Sequence, residues 1–280
     1  MPLRQQLAEA AARLGAAGVA QPRLTAELLL AHVLGRERSF LYAHPEQELT
    51  SAQSAAFATL VQRRTAGEPL QYLTGTQEFH GRRFTVSPAV LIPRPETELV
   101  VAAALDLLPP DAAARILDVG TGSGCLAVTL ALERPRATVL ATDISPAALT
   151  IARHNAAALG ARVEFLESDL LAAAPGPYDL IVSNPPYIPD HDWATLQREV
   201  RDYEPRTALL AGPTGAEIYA RLIPQAHAAL RPGGWLVLEL GYDSAPAVRA
   251  LLARGAWSAI TTRRDEQGWE RVLTARSAAT

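Results

Sequence analysis

Arg115-Ile116-Leu117-Asp118-Val119-Gly120-Thr121-Gly122-Ser123-Gly124 is a short apolar run that breaks into a loop with glycine at alternate positions. The run reads as a buried parallel strand, and the loop as a tight turn feeding the helix Cys125–Glu133. Glycines in such a loop let backbone amides and a helix N-terminus come close to a ligand. Beyond it, strand and helix alternate. A strand at 137–142 ends at Asp143, and the helix after it opens with Ser145 and Pro146 and stops at Gly160. A strand at 162–166 leads into Ser168-Asp169-Leu170, and Tyr178–Ser183 is a further buried strand. Then come a helix at 214–230, a turn at Arg231-Pro232-Gly233-Gly234, a strand at 235–240 and a helix at 243–253. This alternation predicts a parallel α/β sheet. The last β-like runs, 258–263 and 269–275, flank so short a loop that they must pair antiparallel, which predicts a reversed edge strand.

The preceding part differs. Residues 1–72 read as a small helical bundle, with one apolar stripe at Leu3, Leu7 and Leu14, a second at Leu24, Leu28 and Val33, and a third helix opened by Thr50. Alternating segments around His80-Gly81 predict a β-hairpin linker within 73–90, and 91–280 reads as the catalytic domain. In Leu91-Ile92-Pro93-Arg94-Pro95-Glu96-Thr97-Glu98, the proline and carboxylates suit the start of a helix over 99–108. Arg94, held between two prolines, is not needed for capping and is assigned to the crevice.

Composition narrows the chemistry. All 26 basic residues are arginine, so lysine Schiff bases and a P-loop lysine are excluded. The single cysteine, Cys125, excludes an internal disulfide and a multi-cysteine zinc site, and the six histidines lack ligand spacing. No metal is expected. A net charge of −3 argues against a broad nucleic-acid surface. No run approaches membrane-spanning length, and residues 1–12 lack the apolar core of a signal peptide. A cytoplasmic, monomeric protein is expected.

Ligands of open α/β sheets sit at the carboxyl ends of the strands. Three carboxylates fall there, Asp118, Asp143 and Asp169. Asp143 is placed to accept both ribose hydroxyls of a nucleoside over the glycine loop, and Asp169 to accept from an adenine amine. Asp118 would repel a pyrophosphate and attract a sulfonium. The set suits a cationic nucleoside without phosphates, which describes S-adenosylmethionine. At the end of Tyr178–Ser183, Asn184-Pro185-Pro186-Tyr187 offers an acceptor-rich loop with an aromatic face. Such a loop fits a planar group bearing an NH2, and also fits the ordinary role of a proline-stiffened turn.

The Pro93-Arg94-Pro95-Glu96-Thr97-Glu98 stretch, Asp118-Val119-Gly120-Thr121-Gly122-Ser123-Gly124, Asn184-Pro185-Pro186-Tyr187 and Tyr203-Glu204-Pro205-Arg206 together resemble the glutamine N5-methyltransferases of peptide chain release factors, the HemK/PrmC family. The resemblance implies a class I, Rossmann-like methyltransferase sheet with a helical substrate-docking domain at 1–72. It implies S-adenosylmethionine at Gly120, Thr121, Gly122, Ser123, Gly124, Asp143, Leu170 and Asn184, beside the Asp118 and Asp169 contacts read above, with S-adenosylhomocysteine as product. Asn184, Pro185, Pro186 and Tyr187 would hold the glutamine of a Gly-Gly-Gln loop on class I release factors, with no stable nucleic-acid partner. Leu170 stands where relatives often carry a larger aromatic, and Ser244 where glutamine is usual. An adenine or guanine amino-methyltransferase shares the Asn-Pro-Pro-Tyr motif and is the rival reading.

Overall fold

Apolar periodicity and turn chemistry set the elements of this computed structural model, which describes residues 1–278. First come α1 (Leu3–Ala16), α2 (Pro22–Leu34), α3 (Arg38–Ala43), α4 (Ser51–Thr65) and α5 (Leu70–Thr74), then β1 (Thr76–Phe79) and β2 (Arg82–Thr85). Next are α6 (Glu98–Leu107), β3 (Arg115–Val119), α7 (Cys125–Glu133), β4 (Thr138–Asp143), α8 (Pro146–Leu159), β5 (Val163–Glu167) and β6 (Tyr178–Ser183). The chain ends with β7 (Ile188–Pro189), α9 (Arg198–Tyr203), β8 (Leu210–Gly212), α10 (Glu217–Ala229), β9 (Leu230–Glu239), α11 (Ala245–Leu252), β10 (Trp257–Arg264) and β11 (Glu270–Ser277). Among the described residues no helix is long and apolar enough to cross a membrane.

Two units divide the chain. One comprises Met1–Thr76 with Gln197–Tyr203, the other Gln77–Leu196 with the chain from Glu204 on. In the first, Leu3, Leu7, Ala10 and Leu14 bury the stripe of α1. The Thr50 side chain caps α4 and Gln53 reaches back to the Thr50 amide, a reciprocal capping box. Buried Glu27 is held by Arg23 at 2.8 Å and Arg38 at 2.7 Å. Helix α9 joins this unit from far along the chain, through Arg64 to Glu199 at 2.8 Å and the Tyr203 hydroxyl to the Ala66 carbonyl at 3.3 Å. Six residues give α9 too little periodicity for the sequence to announce it.

The second unit is built on a seven-stranded sheet in the order β10-β11-β9-β6-β3-β4-β5. Strands β9, β6, β3, β4 and β5 are parallel, and β11 runs antiparallel to both its neighbours. The reversal predicted at the edge therefore falls one strand inside it, because β11 inserts between β9 and β10 and leaves β10 outermost. Alternate residues of β3 feed two cores: Ile116 packs with α6 and α7, while Leu117 and Val119 pack with α10 and α11. Every residue of β6 is buried, as a strand covered on both faces requires. The turn predicted at 231–234 lies inside β9 instead. Gly233 takes φ +79°, and the ladder with β6 shifts register between Tyr178 and Leu180, which face Leu230 and Trp235, so three extra residues of β9 are absorbed as a strand irregularity.

Register brings the strand ends level. Val119 pairs with Thr142 on one side and Ser183 on the other, and Ser183 pairs with Leu238. The next residue on each strand, Gly120, Asp143, Asn184 and Glu239, therefore lies at one height along the carboxyl ends. Between β3 and β6 the strand order reverses, the crevice where ligands of such sheets bind.

Candidate active site

At the end of β3 the chain turns on Gly120, Gly122 and Gly124, all with positive φ. A Cβ on Gly124 would come within 3.1 Å of the Ala152 Cβ, so this glycine lets the start of α7 pack against α8. At Gly120 and Gly122 a Cβ would meet open space, leaving the cradle clear. Two carboxylates pin the loop. Asp118 Oδ2 accepts from the Thr121 hydroxyl at 2.6 Å and the Ala127 amide at 3.1 Å. Asp143 Oδ2 accepts from the Gly122 amide, and its Oδ1 from the Ser145 amide, both at 2.9 Å. Each Asp143 oxygen keeps a lone pair for a further donor.

Asp118 differs from the sequence expectation. It has no exposed surface and does not line the cavity; burial pushes its pKa up to about 7, against the opposing Thr121 and Ala127 hydrogen bonds. It organises the loop from beneath. Asp169 lines the cavity and is exposed, and it forms an ion pair with Arg221 of α10. Leu170 adopts φ +52°, uncommon for a side-chain-bearing residue, and lies on the cavity wall.

The cavity at these strand ends measures about 320 Å³. That falls at the small end of roughly 300–1,000 Å³ typical of small-molecule sites. Its wall includes Gly120, Thr121, Gly122 and Ser123 but not Gly124, together with Asp143, Asp169, Leu170, Asn184 and Pro186, as well as Ile144, Thr97 and Arg221, which sequence reasoning did not assign to the site. Cys125 also lines it, mostly buried, with burial pushing its thiol up to about 12. A larger, more open hollow of about 690 Å³ lies at the opposite, amino-terminal ends of β4 and β5 and contains none of the motif residues.

Asn184 follows the locked end of β6, where the Ser183 hydroxyl donates to the Val119 carbonyl at 2.7 Å. Its Nδ2 donates to Thr97 Oγ1 at 3.2 Å, which leaves its Oδ1 as an acceptor on the cavity wall. Pro186 lines the cavity, whereas Pro185 and Tyr187 do not. The Tyr187 ring packs against the core under α10 and α11, and burial raises its hydroxyl pKa. Arg94 does not line the cavity either. Its guanidinium pairs with Glu204, which also accepts from the Ile92 amide at 3.2 Å, and so ties Leu91 and Pro93 to Pro205 in the wall.

Comparisons with known proteins agree with this geometry. Residues 5–75 match the family model of the PrmC N-terminal domain, and residues 99–200 that of the methyltransferase small domain. A protein of Koribacter versatilis named release factor glutamine methyltransferase is 49% identical over 278 residues, covering 99% of each chain. One of the same name from Moorella thermoacetica is 52% identical over 254 residues, covering 90% of this chain and 89% of its own. A crystal structure of a methyltransferase from Pyrococcus furiosus shares the fold, with a TM-score of 0.53 at 20% identity over 72% of this chain and 91% of that one.

Proposed function

The chain belongs to the release factor glutamine methyltransferase family, and on that premise we propose how its residues carry the reaction. It is an S-adenosylmethionine-dependent methyltransferase acting on the side-chain amide of a release factor glutamine. The observation that carries the residue assignment is the bond from Asn184 Nδ2 to Thr97 Oγ1, because it reserves the Asn184 oxygen for a substrate donor.

The strand-end cavity suits the methyl donor. Gly120 and Gly122 leave space where side chains would intrude, and Asp143 keeps acceptor capacity for ribose hydroxyls. Ile144 and Leu170 offer apolar flanks for the adenine, and there is no lysine to seat a phosphate. S-adenosylmethionine supplies a methyl group on positively charged sulfur; a carbon–nitrogen bond forms as the carbon–sulfur bond breaks and its electron pair stays on sulfur.

A glutamine amide is a poor nucleophile because its nitrogen lone pair is delocalised into the carbonyl. Asn184 Oδ1 accepts one hydrogen of that NH2, and a carbonyl of the Asn-Pro-Pro loop the other. Together they aim the nitrogen and stabilise the positive charge that develops on it. Pro185 contributes by having no amide proton to compete. The methylated nitrogen then releases a proton to water. Positioning does most of the catalysis, and no strong base is required.

The acceptor is the glutamine of a Gly-Gly-Gln loop on class I release factors, and residues 1–72 dock that protein. The enzyme works in the cytoplasm as a monomer without a stable nucleic-acid partner. Labelled S-adenosylmethionine offered with release factor, DNA and RNA tests this. Peptide mass spectrometry should find one added methyl on the Gly-Gly-Gln glutamine. Label on DNA or RNA with none on the release factor would promote the nucleic-acid reading.

A further inference from the structure

Glu239 closes β9, a strand whose preceding residues are Trp235-Leu236-Val237-Leu238. Register sets it beside Asn184, since Leu238 pairs with Ser183. Its residue is 1% exposed, and Oε2 has no hydrogen-bond partner among the described residues. A carboxyl buried this way opposes folding. Its contacts lead to the reaction centre. The Thr97 hydroxyl stands close enough to the Glu239 carboxyl to favour its charged form, and the same hydroxyl oxygen accepts from Asn184 Nδ2 at 3.2 Å.

A hydroxyl has one proton to give. When Thr97 gives it to a Glu239 carboxylate, its lone pairs can only accept, and the group they accept from is the Asn184 NH2. The Asn184 oxygen then faces the cavity. When Glu239 carries a proton it can donate to Thr97, which frees the Thr97 hydroxyl to donate to Asn184. The Asn184 amide then turns over and presents its NH2, which cannot accept from a glutamine NH2.

We propose that Glu239 is a positioning residue for methyl transfer, acting through Thr97 to set which end of the Asn184 amide meets the substrate. This rests on Asn184 Oδ1 being the acceptor for the glutamine NH2. The groups facing Glu239 come from several elements. Arg94 before α6 and Arg271 on β11 favour the carboxylate, while Glu96 beside Thr97 disfavours it. Tyr187, Tyr219 and Cys125 also feel its charge. Arg271 is shared with Asp265 at 3.0 Å, so Glu239 does not hold a full counter-charge. Burial dominates and pushes the Glu239 pKa up to about 7, which brings the switch into the working range.

The test is kcat against pH for the full chain and its Glu239→Gln, Thr97→Val, Thr97→Ser and Asn184→Ala variants, with calorimetric S-adenosylmethionine affinity for each. The parent should lose kcat on the acid side with a midpoint near pH 7. Thr97→Val should lose on the order of 10-fold in kcat with cofactor affinity within about twofold. Thr97→Ser restores the hydroxyl and should restore both rate and acid limb. Glu239→Gln keeps shape without titrating and should abolish the acid limb. An acid limb retained in Glu239→Gln, or parental kcat in Thr97→Val, overturns the proposal while a dead Asn184→Ala leaves the Asn184 reading standing. Parental turnover in Asn184→Ala overturns that reading and the proposal with it. If Thr97→Val does not fold, Thr97→Ser and Glu239→Gln still decide.

Discussion

Arg94 and Glu204, 110 residues apart in sequence, close on each other as an ion pair behind the cavity wall. The Glu204 side chain is 1% exposed and that of Arg94 is 32% exposed. Removing the cation from a fully buried pair costs roughly 3–5 kcal/mol. Because Arg94 is partly solvated, Arg94→Ala should cost roughly 2–3 kcal/mol. Urea unfolding should record that loss, and cofactor affinity should fall with it, since Pro93 and Pro205 flank the pair and line the cavity. A drop in turnover on release factor with stability unchanged would return Arg94 to the substrate.

Asp143 has two roles, holding the Gly122 and Ser145 amides and offering its remaining lone pairs to the ligand. Asp143→Ala should weaken S-adenosylmethionine by roughly 1–3 kcal/mol, the scale of charge-assisted hydrogen bonds. Asp143→Asn, which keeps one acceptor oxygen, should lose less. Titration calorimetry compares them, and a nicotinamide dinucleotide should give no heat.

Asp118 gives a pH signature of stability. Its folded pKa is about 7, above the ordinary 3.8, because it is buried. Through that window the folded chain keeps a proton the unfolded chain has released, so its contribution falls as pH rises. Asp118→Asn keeps the acceptor for Thr121 and Ala127 but cannot ionise. Relative to the parent it should gain stability, on the order of a few kcal/mol, between about pH 4 and 7. Urea midpoints at stepped pH measure the difference. A constant offset across the window would refute the burial of an ionising group.

Removing residues 1–76 should spare cofactor binding and abolish activity on intact release factor, while leaving slow turnover of a short glutamine peptide. The fragment should also lose order at α9, whose bonds to Arg64 and Ala66 go with the deleted part. Hydrogen exchange reads the second effect and methyl transfer the first. Equal activity of fragment and full chain on the intact acceptor would remove the docking role.

The readable parts of the chain are those set by local rules. Alternating glycines after β3, Ser145 at the start of α8 and the Thr50 cap are short-range features, and each appears where the spacing places it. The strand-end loops of β3, β4 and β6 come together because parallel register aligns them. Thr97 and Arg221 were invisible because their partners lie 87 and 52 residues away. Sequence spacing does not tell which way a strand-end side chain turns. That is why Asp118 looked like a ligand contact and sits under the loop. Pro232-Gly233-Gly234 carries a strong turn signal, and the chain meets it inside β9, where the ladder with β6 breaks after Leu230 and resumes at Trp235.

Cys125 stands at the wall of the cavity as the single cysteine of 280 residues. Its thiol is pushed up to about 12, so at neutral pH a maleimide finds very little thiolate and alkylation is slow. A nucleoside seated against that wall slows it further. The enzyme thus has a native occupancy gauge: the growth of one adduct mass with time, read with and without cofactor, reports how often the pocket is empty without any dye, tag or engineered residue.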